Sequence, residues 1–236
     1  MYDENCPRSF YKRYVEESMP ENDTVEWYAQ YGSLLHKITE DYEKSHGFMS
    51  KEMLIRQYNE GFSHITIPQN QRDIYYQQGY DYMKRLSKMD TSNIIGVEWE
   101  FLLHLYDDMP PIKGFIDKLE IKNNEYIVYD FKSSKPYTKG KVANSLQFGI
   151  YGLAVLQEFK KIPIKYRYEY IRFDQFAETT RTRQEMEDTK KRIYEIWKHI
   201  KNEEFEPRYN QFYCQNFCAY NTTCSLYQSK PNKKWY

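Results

Sequence analysis

A carboxylate and an ammonium group lie two residues apart at the end of a short apolar run. The run begins at Tyr126 and ends with Asp130, Phe131 and Lys132, directly before a basic loop. Because side chains two residues apart on a β-strand point to the same face, Asp130 and Lys132 can act on one substrate. Taken alone, such a pair more often indicates a solvent-exposed ion pair, which contributes about 0–1 kcal/mol to stability.

A second carboxylate, Asp117, lies in the preceding run, three residues after Gly114, which would let a backbone or a ligand approach closely. A turn at 123–124 would pair the two runs and bring Asp117 beside Asp130. Neighbouring carboxylates repel each other unless a cation lies between them, and oxygen ligands favour Mg²⁺ or Mn²⁺. A lysine beside such an ion can stabilise charge on a phosphate. These side chains therefore predict a site for phosphodiester hydrolysis.

Four cysteines form a second group of candidate ligands, with one early in the chain (Cys6) and three late (Cys214, Cys218 and Cys224). Four thiols in a chain that looks cytosolic favour a bound metal over disulfides. A zinc ribbon would normally present two close pairs, which this spacing does not. Soft thiolates suit an iron–sulfur cluster or zinc rather than the hard ion of the carboxylate site, and such a centre would tie the N-terminal segment to the C-terminus.

Composition and charge exclude several classes of protein. The chain has 236 residues, 40% of them hydrophobic, and a mean hydropathy of -0.91, which fits one globular domain. No apolar run approaches the roughly 20 residues of a membrane span. The first residues lack the pattern of a secretion signal, so the sequence predicts a cytoplasmic protein. A nucleotide-binding phosphate loop is also missing, which argues against a helicase motor.

Basic side chains follow Lys132, and we expect the lysines of this loop to contact a DNA backbone: Lys135, Lys139 and Lys141. A second basic stretch closes the chain at Lys230, Lys233 and Lys234. Basic residues balance acidic ones at 34 each, so any nucleic-acid interface would be local. The 25 tyrosines could stack on bases. Each basic stretch is also compatible with ordinary solvated surface.

Hydrophobic periodicity predicts an α/β core with an N-terminal helical layer. Apolar side chains at helical spacing predict helices before residue 90, and shorter alternating runs predict an antiparallel meander after it. A helix over Val142–Phe159, a further strand and a long helix with Thr180 near its cap complete the order. The expected helices cover 7–18, 27–47, 50–62, 70–89, 142–159 and 179–205, and the expected strands cover 94–107, 111–122, 125–134 and 165–174.

The order of these features resembles the RecB-type nucleases of the PD-(D/E)xK superfamily. Five fragments match in sequence order: Gly32 to His36 (G-x-x-x-H), Glu98 in a strand, Gly114 to Asp117 (G-x-x-D), Asp130 to Lys132 ((D/E)-x-K), and Gln147 to Tyr151 (Q-x-x-x-Y). The resemblance implies a restriction-endonuclease-like fold in which helices flank a mixed central sheet. It also implies a single nuclease domain over 1–236, divided into a helical part (1–90), a catalytic core (91–205) and a cysteine segment (206–236).

The resemblance also implies a role for each matched residue. The metal ligands would be His36, Asp117, Asp130 and the carbonyl oxygen of Phe131. Lys132 would position the attacking water or stabilise the transition state. Glu98 would hold a water or a second metal, although Glu100 shares its strand face and could serve instead. Gln147 and Tyr151, one helical turn apart, would contact the DNA backbone or order Lys132.

The cysteine layout resembles the 4Fe–4S site of the CRISPR-associated exonucleases and of the nuclease domains of bacterial helicase–nucleases. Cys218, Tyr220 and Cys224 fit the C-x-Y-x3-C tail of those proteins. Three residues separate Cys214 from Cys218, where those relatives usually have two. Zinc remains the alternative occupant.

Together these features predict a Mg²⁺- or Mn²⁺-dependent exonuclease acting on single-stranded or end-bearing DNA. It would work alone or with a helicase, recombination or CRISPR-adaptation protein, and without a membrane. Two alternatives stay open. One is a structure-specific endonuclease on the same scaffold, and the other is a non-catalytic iron–sulfur subunit that binds DNA.

Overall fold

The computed structural model of the protein describes residues 2–20 and 26–230, so Lys233 and Lys234 of the basic tail lie outside the described residues. The chain divides into two compact units, one comprising 1–26 with 192–236 and the other comprising 27–191. All candidate catalytic residues belong to the larger unit, and all four cysteines belong to the smaller one. None of the described helices combines the length and the apolar composition needed to cross a membrane.

Helices and strands alternate in five blocks along the described part of the chain. The helices are α1 (Pro7–Tyr14), α2 (Glu26–Lys44), α3 (Lys51–Ser63), α4 (Gln69–Leu86), α5 (Lys139–Ala143), α6 (Leu146–Phe159), α7 (Arg183–Lys201), α8 (Gln211–Asn216) and α9 (Ser225–Gln228). The strands are β1 (Ile94–Leu103), β2 (Ile112–Lys122), β3 (Glu125–Lys132), β4 (Lys165–Tyr170) and β5 (Gln175–Thr179).

In the described part of the chain the strands form one five-stranded sheet in the order β1-β2-β3-β4-β5. The first three strands are antiparallel, as predicted, whereas β3 and β4 are parallel because α6 carries the chain back across the sheet. β4 and β5 are again antiparallel. This mixed sheet with its helices confirms the predicted restriction-endonuclease-like fold class.

A two-residue turn sets the register of the β2–β3 hairpin. Asn123 and Asn124 both have positive φ, 52° and 63°, the combination that a tight hairpin turn requires and that asparagine tolerates. Lys122 then lies opposite Glu125, and Lys118 opposite Tyr129. The next positions along the two strands bring Asp117 and Asp130 side by side, as the sequence predicts.

After the hairpin, the structure differs from the predicted secondary structure in one strand and two helices. The predicted strand 165–174 ends earlier, at Tyr170, and Asp174, with a φ of 52°, turns the chain into β5, an antiparallel strand over 175–179 that the sequence did not predict. The helix after β5 begins later than predicted. Its cap is Thr182 rather than Thr180, since Thr182 and Glu185 exchange side-chain-to-backbone hydrogen bonds in a capping box.

The predicted helix over Val142–Phe159 is two helices. Ser145 interrupts it, because its hydroxyl oxygen accepts the Phe148 N–H at 3.2 Å and caps α6 as a separate helix. The new start places Gln147 in the first turn of α6, near the end of β3. The Lys-containing segment before Ser145 forms the short helix α5 instead.

The helical layer α2–α4 has its own core, built from aromatic and aliphatic side chains. On α2 these residues recur at helical spacing and are at most 2% exposed: Tyr31, Leu35, Ile38 and Tyr42. Phe131 of β3 and Ile171 belong to the same buried cluster. The layer is therefore packed against the strand that carries Asp130, and this packing positions α2 beside the sheet.

In the smaller unit, polar contacts join the N-terminal segment to the C-terminal one. Asp3 forms an ion pair with Arg192 at 2.5 Å, and its carbonyl oxygen accepts a hydrogen bond from Arg208 at 2.6 Å. The Tyr220 hydroxyl donates to the Ser18 carbonyl oxygen at 3.0 Å. These contacts hold the ends together through protein atoms alone.

Candidate active site

An imidazole and two carboxylates converge between α2 and the first two strands. His36 Nδ1 lies 3.8 Å from Asp117 Oδ2, and one ligand atom from each of His36, Glu98 and Asp117 lies within 4.8 Å of the others. Each residue is partly buried. Within residues 2–20 and 26–230 this is the one group of three or more such side chains. One nitrogen and two carboxylate oxygens at these separations fit a single Mg²⁺ or Mn²⁺ ion.

Glu98 reaches the site through an unusual backbone conformation. Val97 lies opposite Lys118 and Trp99 opposite Ile116, so Glu98 faces Asp117 across the β1–β2 ladder. Its φ of 48° is in the left-handed region, which few residues other than glycine adopt and which recurs at functional sites.

The structure distinguishes Glu98 from the alternative that the sequence left open. Glu100 forms an ion pair with Lys113 at 2.8 Å, and both side chains are 59% exposed. Glu100 is therefore engaged on the surface of the sheet, whereas Glu98 belongs to the group around Asp117.

Next to this group, four side chains form a closed ring of polar contacts. The Lys132 ammonium lies 2.7 Å from Asp130 Oδ2 and donates to Gln147 Oε1 at 3.1 Å. Gln147 Nε2 donates to the Tyr151 hydroxyl at 2.8 Å, which in turn donates to Asp130 Oδ1 at 3.2 Å. The ring fixes the orientation of Lys132 and uses Gln147 and Tyr151 together, one helical turn apart as the sequence predicts.

The electrostatics of the site favour a bound cation. Burial, followed by the charge of Asp130, raises the pKa of Asp117 to about 8. Burial and the charge of Glu40 likewise raise the pKa of Glu98. Carboxylates that are this reluctant to ionise would be stabilised as anions by a divalent cation placed among them. The donor set and its charge therefore both fit the metal that the sequence predicts.

Histidine and lysine have complementary protonation states here. Burial lowers the pKa of His36, which favours the neutral imidazole that can ligate a metal. Burial also disfavours the charged form of Lys132, but Asp130 outweighs it and the pKa of Lys132 is raised. Lys132 is thus a stable ammonium beside the carboxylates.

Two of the ligands implied by the resemblance have other contacts in the structure. Asp130 contacts Lys132 and Tyr151 and is not part of the three-residue group. The Phe131 backbone forms a hydrogen bond with His36, which places its carbonyl beside the imidazole. Phe131 also donates its N–H to Asp117 Oδ2 at 2.6 Å. The ligand roles of Asp130 and of this carbonyl remain predictions.

The two motif glycines admit close packing around the site. A Cβ at Gly32 would lie 2.9 Å from Ser133 Oγ, so the glycine lets α2 approach the residue that follows Lys132. A Cβ at Gly114 would lie 2.4 Å from the Phe101 ring, which packs edge-on against Tyr151 with centroids 6.0 Å apart. The group that approaches Gly114 closely is thus the Phe101 side chain rather than a backbone or a ligand.

The lysines after Lys132 lie on an exposed segment. Lys135, Lys139 and Lys141 are all exposed, and the Lys141 ammonium lies 3.7 Å from the centroid of the Tyr137 ring. Tyr137 is anchored in turn, because its N–H donates to the Tyr170 hydroxyl at 2.9 Å. The basic segment is thus joined to β4 close to the polar ring.

Sequence reasoning missed two residues that the structure brings to this region. Tyr168 lies opposite Asp130 in the β3–β4 register and under the Lys132 ammonium. Lys118, next to Asp117, is 2% exposed and pairs with Glu43 of α2. Tyr168 reads as an ordinary core tyrosine and Lys118 as a surface residue. Only the positions of neighbouring elements reveal their roles.

In the smaller unit the cysteine thiols are close enough to influence one another. Burial raises the pKa of the Cys214 thiol, and the nearby Cys6 and Cys224 raise it further. Burial and the same kind of interaction with Cys214 and Cys6 raise the pKa of Cys218. No three of these sulfur atoms lie within 4.8 Å of one another in the described ranges.

A mixed sheet and a flanking helix that together bring carboxylates, an imidazole and an ammonium group to one place are typical of metal-dependent phosphodiesterases. The sequence profile of the PD-(D/E)XK nuclease superfamily matches residues 4–225, nearly the whole chain. The chain belongs to the PD-(D/E)XK nuclease superfamily, whose members use divalent metal ions.

No curated protein matches the sequence significantly. Among solved structures, the chain is similar to one titled "Crystal structure of SSO0001", with 18% sequence identity and a TM-score of 0.41. The match covers 74% of this chain and 95% of that one.

Proposed function

We propose that this protein is a RecB-like, Mg²⁺- or Mn²⁺-dependent DNA exonuclease that acts on single strands or free ends. The observation that carries the proposal is the juxtaposition of two arrangements. One is the donor group of His36, Glu98 and Asp117, and the other is the polar ring that orients Lys132. A cation-binding group beside an oriented ammonium is suited to the growing negative charge of phosphodiester hydrolysis.

Each part of the site has a separate task in this proposal. When bound, a divalent cation would lower the pKa of a coordinated water and offset charge on the phosphate. His36, Glu98 and Asp117 hold that ion. Asp130 and Gln147 each engage one N–H of the Lys132 ammonium, which leaves its third N–H for the attacking water or a phosphate oxygen. Tyr151 keeps the proton that it donates to Asp130, since burial raises its pKa.

DNA would be held by the exposed basic segment after β3. Lys135, Lys139 and Lys141 can neutralise successive phosphates, and Tyr137 offers a ring on which a base can stack. Exonuclease action is the part that rests most on the RecB-like motif order, and a test must separate it from cleavage within a strand.

The test uses one single-stranded DNA in three forms: labelled at the 5′ end, labelled at the 3′ end, and closed into a circle. With Mg²⁺ or Mn²⁺ we expect both linear forms to be degraded and the circle to persist. Asp130→Asn, which keeps the shape of the side chain but removes its charge, is the matched inactive variant.

Two other outcomes would each support one of the alternative functions. Cleavage of the circle would identify an endonuclease on the same scaffold. Binding of DNA without any cleavage, equal in wild type and Asp130→Asn, would identify a non-catalytic DNA-binding subunit. Work with a helicase, recombination or CRISPR-adaptation protein is the biological setting that the resemblance suggests.

For the smaller unit we propose a 4Fe–4S cluster held by Cys6, Cys214, Cys218 and Cys224. Hydrogen-bond donors are directed at three of the sulfurs, as expected for thiolate ligands. Cys6 Sγ accepts the Arg208 N–H at 3.4 Å. A backbone hydrogen bond from Asn210 lowers the pKa of Cys214 against the effect of burial. Hydrogen bonds from the Tyr220 backbone and the Ser9 side chain do the same for the pKa of Cys218.

The cluster is proposed from the number and order of the cysteines and not from the separation of their sulfurs, since no three of the sulfurs in the described ranges lie within 4.8 Å of one another. Zinc, which thiolates also bind, remains the alternative occupant.

The cluster prediction is tested by anaerobic purification. We expect brown protein with broad visible absorbance and about four irons and four sulfides per chain. Cys218→Ala is expected to lose the colour and to lower the thermal stability of the protein. Colourless wild-type protein that holds one zinc per chain would show the alternative occupant.

A further inference from the structure

Tyr168 of β4 lies directly beneath the catalytic lysine of the proposed site. It is opposite Asp130 in the parallel β3–β4 register and only 3% exposed. The Lys132 ammonium lies 5.1 Å from the centroid of its ring, within the range of a cation–π interaction. The Phe148 ring of α6 stacks on the same tyrosine with centroids 4.0 Å apart. The ring is thus fixed between the helix and the ammonium.

The hydroxyl of Tyr168 continues a hydrogen-bonded chain with a defined direction. Gln147 Oε1 accepts from Lys132, which can only donate, so the oxygen of this amide faces the ammonium. The Tyr168 hydroxyl donates to the same oxygen at 3.2 Å. Ser145 Oγ lies 2.6 Å from the Tyr168 oxygen, and because the single hydroxyl proton of Tyr168 is donated to Gln147, Ser145 is the donor in this contact.

This chain connects the cap of α6 to the lysine. Ser145 donates to Tyr168, Tyr168 donates to Gln147 Oε1, and that oxygen accepts one N–H of Lys132. Without the tyrosine hydroxyl, the Gln147 amide would lose one of the three hydrogen bonds that oppose its rotation. The direction of the one uncommitted N–H of the ammonium would then be less defined.

We propose that Tyr168 is a positioning residue for Lys132, one that aims the uncommitted N–H of the ammonium at the reacting phosphate. The inference rests on the proposed nuclease function for its catalytic consequence. The positioning itself is a property of the contacts and can be measured without substrate.

The first test is Tyr168→Phe, which deletes one oxygen and keeps the ring under the ammonium. We expect kcat for DNA cleavage to fall about tenfold, equivalent to about 1.4 kcal/mol, with KM and Mn²⁺ affinity unchanged. The matched control is Tyr166→Phe, two residues earlier on the same strand and 0% exposed. Its hydroxyl oxygen has no hydrogen-bond partner in the described structure, so we expect its kcat to equal that of wild type.

A double-mutant cycle separates positioning from a general effect on the fold. In a Gln147→Leu background, Tyr168→Phe should cause no further loss, because the oxygen through which it acts is gone. An equal loss in both backgrounds, or no loss in the wild-type background, would overturn the proposal.

A measurement without DNA separates this inference from the proposed function. In protein with ¹⁵N-labelled lysine side chains, the Lys132 ammonium signal is assigned by its disappearance in Lys132→Met. We expect Tyr168→Phe to shift this signal and Tyr166→Phe to leave it in place. If wild type cleaves no DNA but the shift is seen, the nuclease assignment fails and the positioning stands; an unmoved signal refutes the positioning.

Discussion

Lys132→Met is expected to lower the single-turnover rate of DNA cleavage about 10²–10³-fold, the usual effect of removing one preorganised donor from a charged transition state. The methionine side chain has similar length but cannot donate a hydrogen bond to a phosphate oxygen. Mn²⁺ affinity should stay close to that of wild type, because His36, Glu98 and Asp117 are unchanged. This separates a loss of chemistry from a loss of the ion.

Lys113→Met is the matched control, since it removes an ammonium group from the exposed part of β2. Its cleavage rate should equal that of wild type, and circular dichroism should show that both variants are folded. Lys135→Met is expected to behave differently from either, with a raised KM and a weaker dependence on salt, as for a lysine that contacts DNA phosphates. A wild-type rate in Lys132→Met would remove this lysine from the reaction.

The second large effect concerns the buried lysine on the other face of β2. Lys118 lies 3.5 Å from Glu43 Oε1 and 3.4 Å from Glu120 Oε1, and its ammonium is 4.0 Å from the centroid of the Tyr129 ring. Lys118→Met would leave two carboxylates without their cation in a site that is almost closed to water. We expect the free energy of unfolding to fall by about 3–5 kcal/mol, measured by urea denaturation, with Lys113→Met again as the exposed control.

The partner of Lys118 adds a pH signature. Burial, opposed by Lys118, raises the pKa of Glu43 from 4.5 to about 7. The native state therefore holds this proton more tightly than the unfolded chain does. The stabilisation is complete below about pH 4.5 and is lost as the pH rises through about 7.

Glu43→Gln should remove this pH dependence and should be more stable than wild type at pH 8. Between pH 4 and pH 8, we expect the free energy of unfolding of wild type to fall, relative to that of Glu43→Gln, by on the order of 3 kcal/mol. Glu60→Gln, an exposed change on α3, serves as the control. If wild type and Glu43→Gln differ in free energy of unfolding by the same amount at pH 4 and at pH 8, the raised pKa of Glu43 is contradicted. Combining Glu43→Gln with Lys118→Met should recover part of the stability that Lys118→Met alone loses, because one unpaired carboxylate is removed.

The sequence predicted the parts of the site that depend on local pattern. Asp117 and Asp130 could be placed side by side because two alternating runs flank a turn of two asparagines. His36 could be placed on a helix because apolar residues recur around it every three or four positions. The order of these elements predicted an α/β core, and the resemblance to the RecB-type nucleases implied that its sheet is mixed.

What the sequence could not predict depends on contacts between distant elements or on single backbone angles. The left-handed conformation of Glu98 leaves no trace in composition, because glutamate rarely adopts it. Lys118 and Glu120 alternate with apolar residues and so look exposed, yet Lys118 is only 2% exposed and pairs with Glu43 of α2. β5 was missed because its five residues, QFAET, are too short and polar to show a period.

The two-asparagine turn also constrains how the gene for this protein can change. Asp117 and Lys118 are neighbours on one strand and therefore face opposite sides of the sheet. A slip of one residue in the hairpin would exchange them, directing an ammonium toward the cation site and a carboxylate toward Glu43 and Glu120. Insertion or deletion of a single codon between β2 and β3 would thus invert the charge of both environments at once. Selection should tolerate substitutions in this turn far more readily than changes in its length.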